Sequence, residues 1–501
     1  TMQKILVANR GEIALSALRC IREMGLESAT VYSSVDADSL HVRYADQALP
    51  LAGARTSRTY GSIQRILEAA EAAGADAVYC GYGFLSESPE FAHGCREKGI
   101  TFIGPAPEVL ASCHEKLLLL SKAAQLKIPV PEHSLPVQDE ADLVQKAQDL
   151  GYPVLLKPVT GTGGRYIFKA YRKEDLLASY RTFLREQAIK GLNVPFYLER
   201  YIRRAVHIEF PVLADQHGNA VQLGERECVV QRRFQKLISE TPSAWLPTES
   251  RDQMAAAALS LIRSIGFTGC GAVEFMVDEK GRWYFMEINP RLQVEYALTE
   301  IVYGVEIIKE QLRIAAGEPL ALPADAHRPR LHAIECRINA EDPGSDFQPS
   351  AGMVHEYYIP GGYGYSVLSS VQKGKRIDIY YDPMIMKVDC FAATRAEALA
   401  KTRFALEAIR LKGVQTNIPF LSRVVGSEAF AAGSLKCDLK LKDFLPQGAD
   451  DRRRQEVAAL VAVLNHELMG RFRTSAFQRT TPGGNVWGMS GRVELITRRH
   501  L

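Results

Sequence analysis

The chain has 501 residues, 47% of them hydrophobic and 24% charged, with a net charge of +3. Such a length allows two to four domains with sizeable cores, and so small a charge gives no reason to expect nucleic acid or a membrane surface as partner. No stretch of about 18 consecutive apolar residues occurs, so no membrane span is expected, and the nine scattered cysteines, without a Cys-x-x-Cys pair, fit a reducing cytosol better than a zinc site or a disulfide framework.

The opening residues 2–8 pattern as a strand rather than a signal peptide. Residues 4–9 are predicted as a buried strand, Arg10-Gly11-Glu12 as a turn, and residues 13–24 as a helix closed by Gly25. A strand at 29–33, a helix at 62–73, a strand at 77–80 and a helix at 89–98 follow. Alternating strands and helices imply a doubly wound parallel sheet, and ligands of such sheets sit at the carboxyl ends of the strands. The stretch Gly81-Tyr-Gly-Phe-Leu-Ser-Glu87 follows one such end. Pro129-Val-Pro131 marks a boundary, after which a smaller segment runs to about residue 201. It holds a helix at 140–150, a strand at 154–157, a Gly-rich turn from Pro158 to Arg165, a strand at 166–171, a helix at 173–186 and a strand at 196–199. Because the Gly-rich turn links two strands, it is neither the Walker loop nor the Rossmann fingerprint, both of which open a helix. Such a turn can close over phosphates through backbone N–H groups, with Lys157 adding a point charge; a flexible surface hairpin is the alternative.

From residue 205 to 446 the pattern is strand-rich and suggests an antiparallel sheet. Its most informative part is a hairpin: Gly271-Ala-Val-Glu274-Phe-Met-Val277, the loop Asp278-Glu-Lys-Gly281, and a strand ending in Glu287-Ile-Asn289-Pro-Arg291-Leu-Gln293-Val-Glu295. With a four-residue loop, Val277 pairs with Arg282 and Glu274 lies opposite Phe285, leaving Glu274 and Glu287 as diagonal neighbours roughly 7–8 Å apart at the backbone. Two carboxylates converging from one sheet face are costly unless a cation lies between them. With Asn289 on the same parity, these oxygens suit Mg²⁺ held jointly with substrate phosphates. Lys236 adds a cation to a site that needs anion-binding groups. Glu335 and Arg337 fall on one face of another strand, where the simplest reading is a surface ion pair of little worth. Beyond residue 446 a helix is expected from 450 to about 470, then a Gly/Thr/Arg-rich linker at 471–491 and a strand-like tail at 492–501, docked either on the main body or on a partner.

These residues point to a family. The chain from Met2 to about Pro446 resembles the biotin carboxylase component of biotin-dependent acyl-CoA and pyruvate carboxylases, an ATP-grasp enzyme. The likeness rests on Lys4-Ile-Leu-Val-Ala-Asn-Arg-Gly-Glu-Ile-Ala, Gly81-Tyr-Gly-Phe-Leu-Ser-Glu, Gln231-Arg-Arg-Phe-Gln-Lys, Phe285-Met-Glu-Ile-Asn-Pro-Arg-Leu-Gln-Val-Glu, Glu335-Cys-Arg-Ile-Asn-Ala-Glu-Asp-Pro and Tyr380-Tyr-Asp-Pro-Met. It implies an α/β (α+β) ATP-grasp architecture: an N-terminal doubly wound domain at 1–128, a small α/β lid at 129–203, a catalytic subdomain at 204–330, a C-terminal antiparallel-sheet domain at 331–446, and a helical partner-docking tail at 447–501.

The resemblance also implies roles. Lys116 and Lys157 bind ATP phosphates under a lid containing Gly163 and Gly164; Glu199, Arg200, Tyr201 and Ile202 meet the adenine; His207 and Gln231 complete the nucleotide pocket. Glu274, Glu287 and Asn289 hold Mg²⁺ or Mn²⁺. Lys236, Arg291, Gln293 and the Val294 backbone bind bicarbonate, Glu295 is the general base kept ionised by Arg291, and Arg337 steadies the charge on the ureido oxygen of biotin. The implied activity is an ATP-dependent C–N ligase that carboxylates biotin on a separate carrier protein, in the cytoplasm, with a carboxyltransferase subunit as further partner and a homodimer or hetero-oligomer as assembly. Several residues depart from the family pattern. Thr160 and Thr162 interrupt the lid glycines, Tyr166 replaces a glycine, Phe234 replaces a nucleotide-contacting histidine and Tyr296 the histidine after the base. Ser366 and Leu368 replace an arginine and an acid near the dimer contact. They define an alternative, a catalytically weak or silent scaffold inside a carboxylase complex. Met384-Ile-Met386-Lys387 is similar to the site at which a carrier domain is biotinylated, but it lies in an apolar strand rather than at a hairpin tip, so attachment there is not expected.

Overall fold

The computed structural model describes residues 2–161, 166–191, 193–445, 459–460 and 463. The chain divides into two units, 1–445 and 446–501, and the elements below belong to the first. The expected linker and final strand, the lid residues Thr162, Gly163, Gly164 and Arg165, and most of the expected tail helix lie outside the described residues.

Five short apolar strands, β1 (Lys4–Val7), β2 (Glu27–Ser33), β3 (Gln47–Leu51), β4 (Ala77–Tyr79) and β5 (Thr101–Phe102), form an all-parallel sheet in the order β3-β2-β1-β4-β5. Helices on its faces begin where the sequence supplies caps: the Ser62 hydroxyl accepts from the Arg65 N–H ahead of Ile63–Ala73, and Ser88 does the same for Phe91 ahead of Pro89–Glu97. The chain leaves β1 toward β2 and returns on the other side to β4, so the loops after β1 and β4 meet at a switch point. There the Asn9 amide donates to the carbonyls of Cys80 (2.6 Å) and Tyr82 (2.8 Å). Gly81 is required at this crossing: its φ is +64°, and a Cβ would stand 2.6 Å from the Ile13 side chain.

The next piece is a three-stranded antiparallel sheet, β6 (Val154–Pro158), β7 (Phe168–Ala170) and β8 (Phe196–Arg200), in the order β7-β6-β8. Helices Glu140–Leu150 and Lys173–Lys190 accompany it, and it has a core of its own around Leu156, Phe183 and Phe196. The expected strand at 166–171 is shorter, because Tyr166 adopts φ +62°, outside the extended region. Its ring packs edge-on against Phe183, 4.9 Å between centroids.

Nine further strands build one sheet: β9 (Val206–Ala214), β10 (Ala220–Gln222), β11 (Arg226–Arg232), β12 (Gln235–Thr241), β13 (Gly269–Val277), β14 (Trp283–Asn289), β15 (His332–Asn339), β16 (Tyr365–Ser369) and β17 (Met384–Ala392), and short strands elsewhere in 341–412 form three two-stranded sheets. The order is β14-β13-β9-β11-β12-β15-β17-β16, with β10 on β9, and neighbouring strands run antiparallel. One face carries Ile208, Phe210, Val212, Val273 and Phe275 into the main core; each fully buried phenylalanine contributes about 1.5–3 kcal/mol. The strand period of two leaves His207, Glu209 and Glu274 on the opposite face. Toward the end of β9 that face turns apolar, and Leu213 and Cys270 share a core with Ile5, Val7 and Ile13 of the parallel-sheet domain.

The β13–β14 register corrects the expected one. Val277 pairs with Trp283, not Arg282, because the loop spans residues 278–282 and is closed by the Asp278 N–H donating to the Arg282 carbonyl, 2.8 Å. A bulge at Met286 then inserts one residue, so Glu274 lies directly opposite Glu287 rather than diagonal to it. Among the described residues no helix is long and apolar enough to cross a membrane.

Candidate active site

The polar face of the large sheet gathers three acids around one ammonium. Lys236 of β12 lies 2.9 Å from Glu274 and 2.8 Å from Glu295, and also pairs with Glu209 of β9. Two guanidinium groups close the array: Arg226 Nε bonds Glu209 at 2.6 Å, and Arg337 Nη2 bonds the second oxygen of Glu295 at 2.6 Å. His207 Nε2 stands 3.0 Å from Glu274. The Gln231 amide donates both to the Cys228 carbonyl and to His207 Nδ1 (2.7 Å), which fixes the histidine proton on Nε2, facing Glu274.

Charge follows from these contacts. Burial favours neutral acids, yet Lys236 and Arg337 outweigh it and hold Glu295 well below the carboxylate range. Glu274 is likewise lowered against burial by Lys236 and His207. Glu287 behaves oppositely: burial, together with the charge of Glu274, raises its pKa, and Lys116, 3.9 Å away, offsets this only in part. Two opposed carboxylates with one left under-compensated form an oxygen pair that a divalent cation would satisfy, and Asn289, buried, follows two residues along the same strand. The residues present therefore fit Mg²⁺.

Lys116 opens helix Lys116–Gln125 and is buried, which lowers its pKa, with Lys157 among the charges acting on it. Its backbone N–H donates to the Val159 carbonyl (3.1 Å), placing the strand end of β6 beside it. Lys157 pairs with the buried Glu199 at 2.7 Å. The next residue alternates outward: the Arg200 side chain is exposed and held by the Leu150 carbonyl (2.7 Å) and Glu132 (3.0 Å), so only its backbone faces inward. The Tyr201 ring carries the Lys169 ammonium at 3.6 Å, and Ile202 is half-buried.

Arg291 corrects a second expectation. Its Nε pairs with Glu87, from the loop after β4, and its Nη1 donates to Gln293 Oε1 (3.3 Å). The groups that keep Glu295 ionised are Lys236 and Arg337, because Arg291 turns toward the parallel-sheet domain. The amide nitrogen of Gln293 is buried without a hydrogen-bond partner, a donor available to an anion. Lys236, Arg291, Val294 and Arg337 line a cavity of about 740 Å³ that also touches Glu12, Tyr82 and Asn9, whereas Glu295 itself is fully buried just behind these cations.

Glu335 is the third correction. It is fully buried rather than at the surface, opposite Asp389 of β17, and Arg337 Nε is 3.6 Å away. Burial and then Asp389 raise its pKa well above the ordinary value. Of the residues that depart from the family pattern, Phe234 sits half-exposed in the β11–β12 turn at φ +64°, Tyr296 is buried beneath Lys387, and Ser366 and Leu368 pair with Asp389 and Lys387. Lys387 is fully buried, as its apolar strand implies. Glu209 and Arg226 escaped notice in the sequence. Glu209 carries the same signal that marks Glu274, an acid inside an apolar strand.

The parallel sheet, the small three-stranded piece and the large antiparallel sheet, with lysines and acids where they meet, define the ATP-grasp class. The family model for the biotin carboxylase N-terminal domain matches residues 1–110, that for the carbamoyl-phosphate synthase L chain ATP-binding domain matches 116–322, and that for the biotin carboxylase C-terminal domain matches 335–439. The chain belongs to the biotin carboxylase family. It is 40% identical to biotin carboxylase 1 of Bacillus subtilis over 434 residues, covering 86% of this chain and 96% of that one. It is 38% identical over 489 residues to the alpha subunit of rat methylcrotonoyl-CoA carboxylase, covering 96% of this chain and 68% of that one. The biotin carboxylase domain dimer of Hydrogenobacter thermophilus 2-oxoglutarate carboxylase, solved with MgADP, ADP and bicarbonate, superposes with a TM-score of 0.84 at 40% identity, covering 87% of this chain and 97% of that one.

Proposed function

We propose that the lysine-centred cluster and the cavity beside it carry out the ATP- and bicarbonate-dependent carboxylation of biotin, with roles assigned residue by residue. The protein is an ATP-dependent ligase that uses ATP, Mg²⁺, bicarbonate and biotin. The observation that carries the site assignment is Lys236, shared by Glu209, Glu274 and Glu295 at the wall of an open cavity. Arg291, Lys236, the free amide of Gln293 and the Val294 N–H receive bicarbonate. Glu295 takes its proton as an oxygen attacks the γ-phosphate. A carboxylate held this low is a weak base; it gains basicity when the incoming anion draws Lys236 away. Lys116 and Lys157 hold the phosphates, with Glu199 to Ile202, His207 and Gln231 along the nucleotide. Mg²⁺, held by Glu274, Glu287 and Asn289, neutralises phosphate oxygens when bound. The carboxyphosphate product yields CO₂ and phosphate, the phosphate takes the ureido N–H proton of biotin, and Arg337 steadies the enolate-like charge on the ureido oxygen as the deprotonated nitrogen attacks CO₂. Among the described residues, nothing at the site favours a silent scaffold.

Some of the matched relatives, the rat methylcrotonoyl-CoA carboxylase alpha subunit among them, are named as subunits of carboxylases. We infer further a biotin carrier and a carboxyltransferase as partners, a homodimer or hetero-oligomer, and a cytoplasmic location, which the nine free cysteines support. The domain division at 128, 203, 330 and 446 is proposed on the same footing, the last boundary supported by the separate unit at 446–501. Bicarbonate-dependent ATP hydrolysis, stimulated by free biotin, tests the function: turnover above an Arg291→Ala control is expected, and none above it removes the reading.

A further inference from the structure

Lys387 has no part in the roles assigned so far, yet its environment is unusual. Its side chain is fully buried. The ammonium lies 3.0 Å from Glu12, the second residue of helix Gly11–Glu23, and donates to the Val294 carbonyl at 2.6 Å. It also stands over the rings of Tyr296 (4.2 Å) and Tyr82 (5.8 Å), and the Tyr82 hydroxyl donates to Glu12. A buried lysine–glutamate pair is weak evidence for stability, since hydrophobic replacements of the same volume are often neutral or better. What sets this one apart is the third partner, the peptide between Val294 and Glu295.

Glu295 sits at the start of helix Tyr296–Tyr303 with φ −82° and ψ 20°, and no side chain caps that helix start. The Tyr296 N–H donates to the Gln293 carbonyl (3.2 Å), closing a turn around the Val294–Glu295 peptide. Lys387 adds a tether to the carbonyl inside that turn from another strand. Fixing the Val294 carbonyl fixes the torsion through which the Val294 backbone faces the cavity, and it sets the direction in which Glu295 leaves the chain toward Lys236 and Arg337.

We propose that Lys387 is a positioning residue for the bicarbonate site: clamped by Glu12 from the parallel-sheet domain, it holds the Val294–Glu295 peptide in the orientation that receives the anion. This rests on the reading of Gln293, Val294 and Glu295 as the bicarbonate segment. The role is distinct from ATP binding, whose lysines and acids make no contact with this ammonium.

The test uses the full chain with Lys387→Met, which keeps length and removes charge, and Glu12→Gln, which loosens the clamp. ATP hydrolysis is followed while bicarbonate and MgATP are varied separately, with thermal unfolding in parallel. A charge-assisted hydrogen bond lost at the peptide is expected to raise the KM for bicarbonate about tenfold in Lys387→Met and about threefold in Glu12→Gln. The KM for MgATP stays within about twofold on the same basis, since no lost bond reaches the nucleotide. Equal rises in both KM values, or a drop in melting temperature with the bicarbonate KM unchanged, overturn the proposal. If Lys387→Met does not fold, Glu12→Gln decides alone: a selective rise supports the clamp and an unchanged KM refutes it. A wild-type chain without bicarbonate-dependent turnover removes the functional reading and this proposal with it, a result distinct from an active wild type with indifferent variants.

Discussion

Lys236 alone cannot neutralise Glu209, Glu274 and Glu295; Arg226 and Arg337 make the buried array three against three. Removing the shared cation leaves acids buried without their partner, which costs about 3–5 kcal/mol. Lys236→Met is therefore expected to unfold at lower temperature, and the loss depends on pH. Without the ammonium the folded-state pKa of the orphaned carboxyls rises above their unfolded value, so their protonated forms restore stability in acid and the deficit grows as pH climbs through the raised pKa. Melting temperatures of wild type and variant at pH 5 and pH 8 check this; a deficit equal at both values contradicts it. At this scale the sequence is a good guide wherever an acid interrupts an apolar run, as at Glu274 and Glu287. It is silent on partners drawn from distant strands. Nothing in Arg291 announces that its ion pair is Glu87, 204 residues away, rather than Glu295 four residues on.

Among the elements, the β11–β12 hairpin holds two non-glycine residues in the left-handed region. Arg233 and Phe234 form its two-residue connection, with φ of +49° and +64°, a turn that favours Asn-Gly. Positive φ at a bulky residue costs on the order of 1 kcal/mol or more. Replacing the pair by Asn-Gly is expected to stabilise the chain by about 1 kcal/mol, read as a rise in melting temperature; the exposed Arg233–Asp346 contact it sacrifices (3.1 Å) is worth little. No rise would mean that Phe234 has packing this geometry does not reveal. Elements with local signals were legible. Helix Glu140–Leu150 has the expected bounds because the Asp139 side chain accepts from the Asp142 N–H, and helix Ile63–Ala73 ends at Gly74 in the left-handed conformation. The β13–β14 register was not legible, since it depends on a bulge at Met286 in the pairing of the two strands and no residue type marks that bulge.

For the molecule as a whole, pH sensitivity has a second source far from the Lys236 cluster. Glu227 and Glu240 are cross-strand partners on β11 and β12, both buried. His332 (2.9 Å) and Arg395 (2.7 Å) serve Glu240, while among the described residues Glu227 has the Ser243 hydroxyl alone as side-chain donor. Burial, then Glu240, pushes Glu227 up to about 7. A carboxyl whose folded pKa is raised binds a proton in the folded chain that the unfolded chain has released, so stability falls between the ordinary carboxylate range and pH 7 and is level above it. Glu227→Gln is expected to flatten that decline and to exceed wild type at pH 8 by up to roughly 3 kcal/mol. Denaturant unfolding at pH 5 and pH 8 measures it, and parallel declines in both proteins would show that the proton sits elsewhere.

The pairing of β12 with β15 has a mechanical consequence. The ladder is continuous from β14 at one edge to β16 at the other, so Glu274, Glu287 and Arg337 belong to a single sheet. The three strands β6, β7 and β8 share no ladder with it. On the roles proposed above, any opening for nucleotide is therefore expected at that small sheet rather than within the large one.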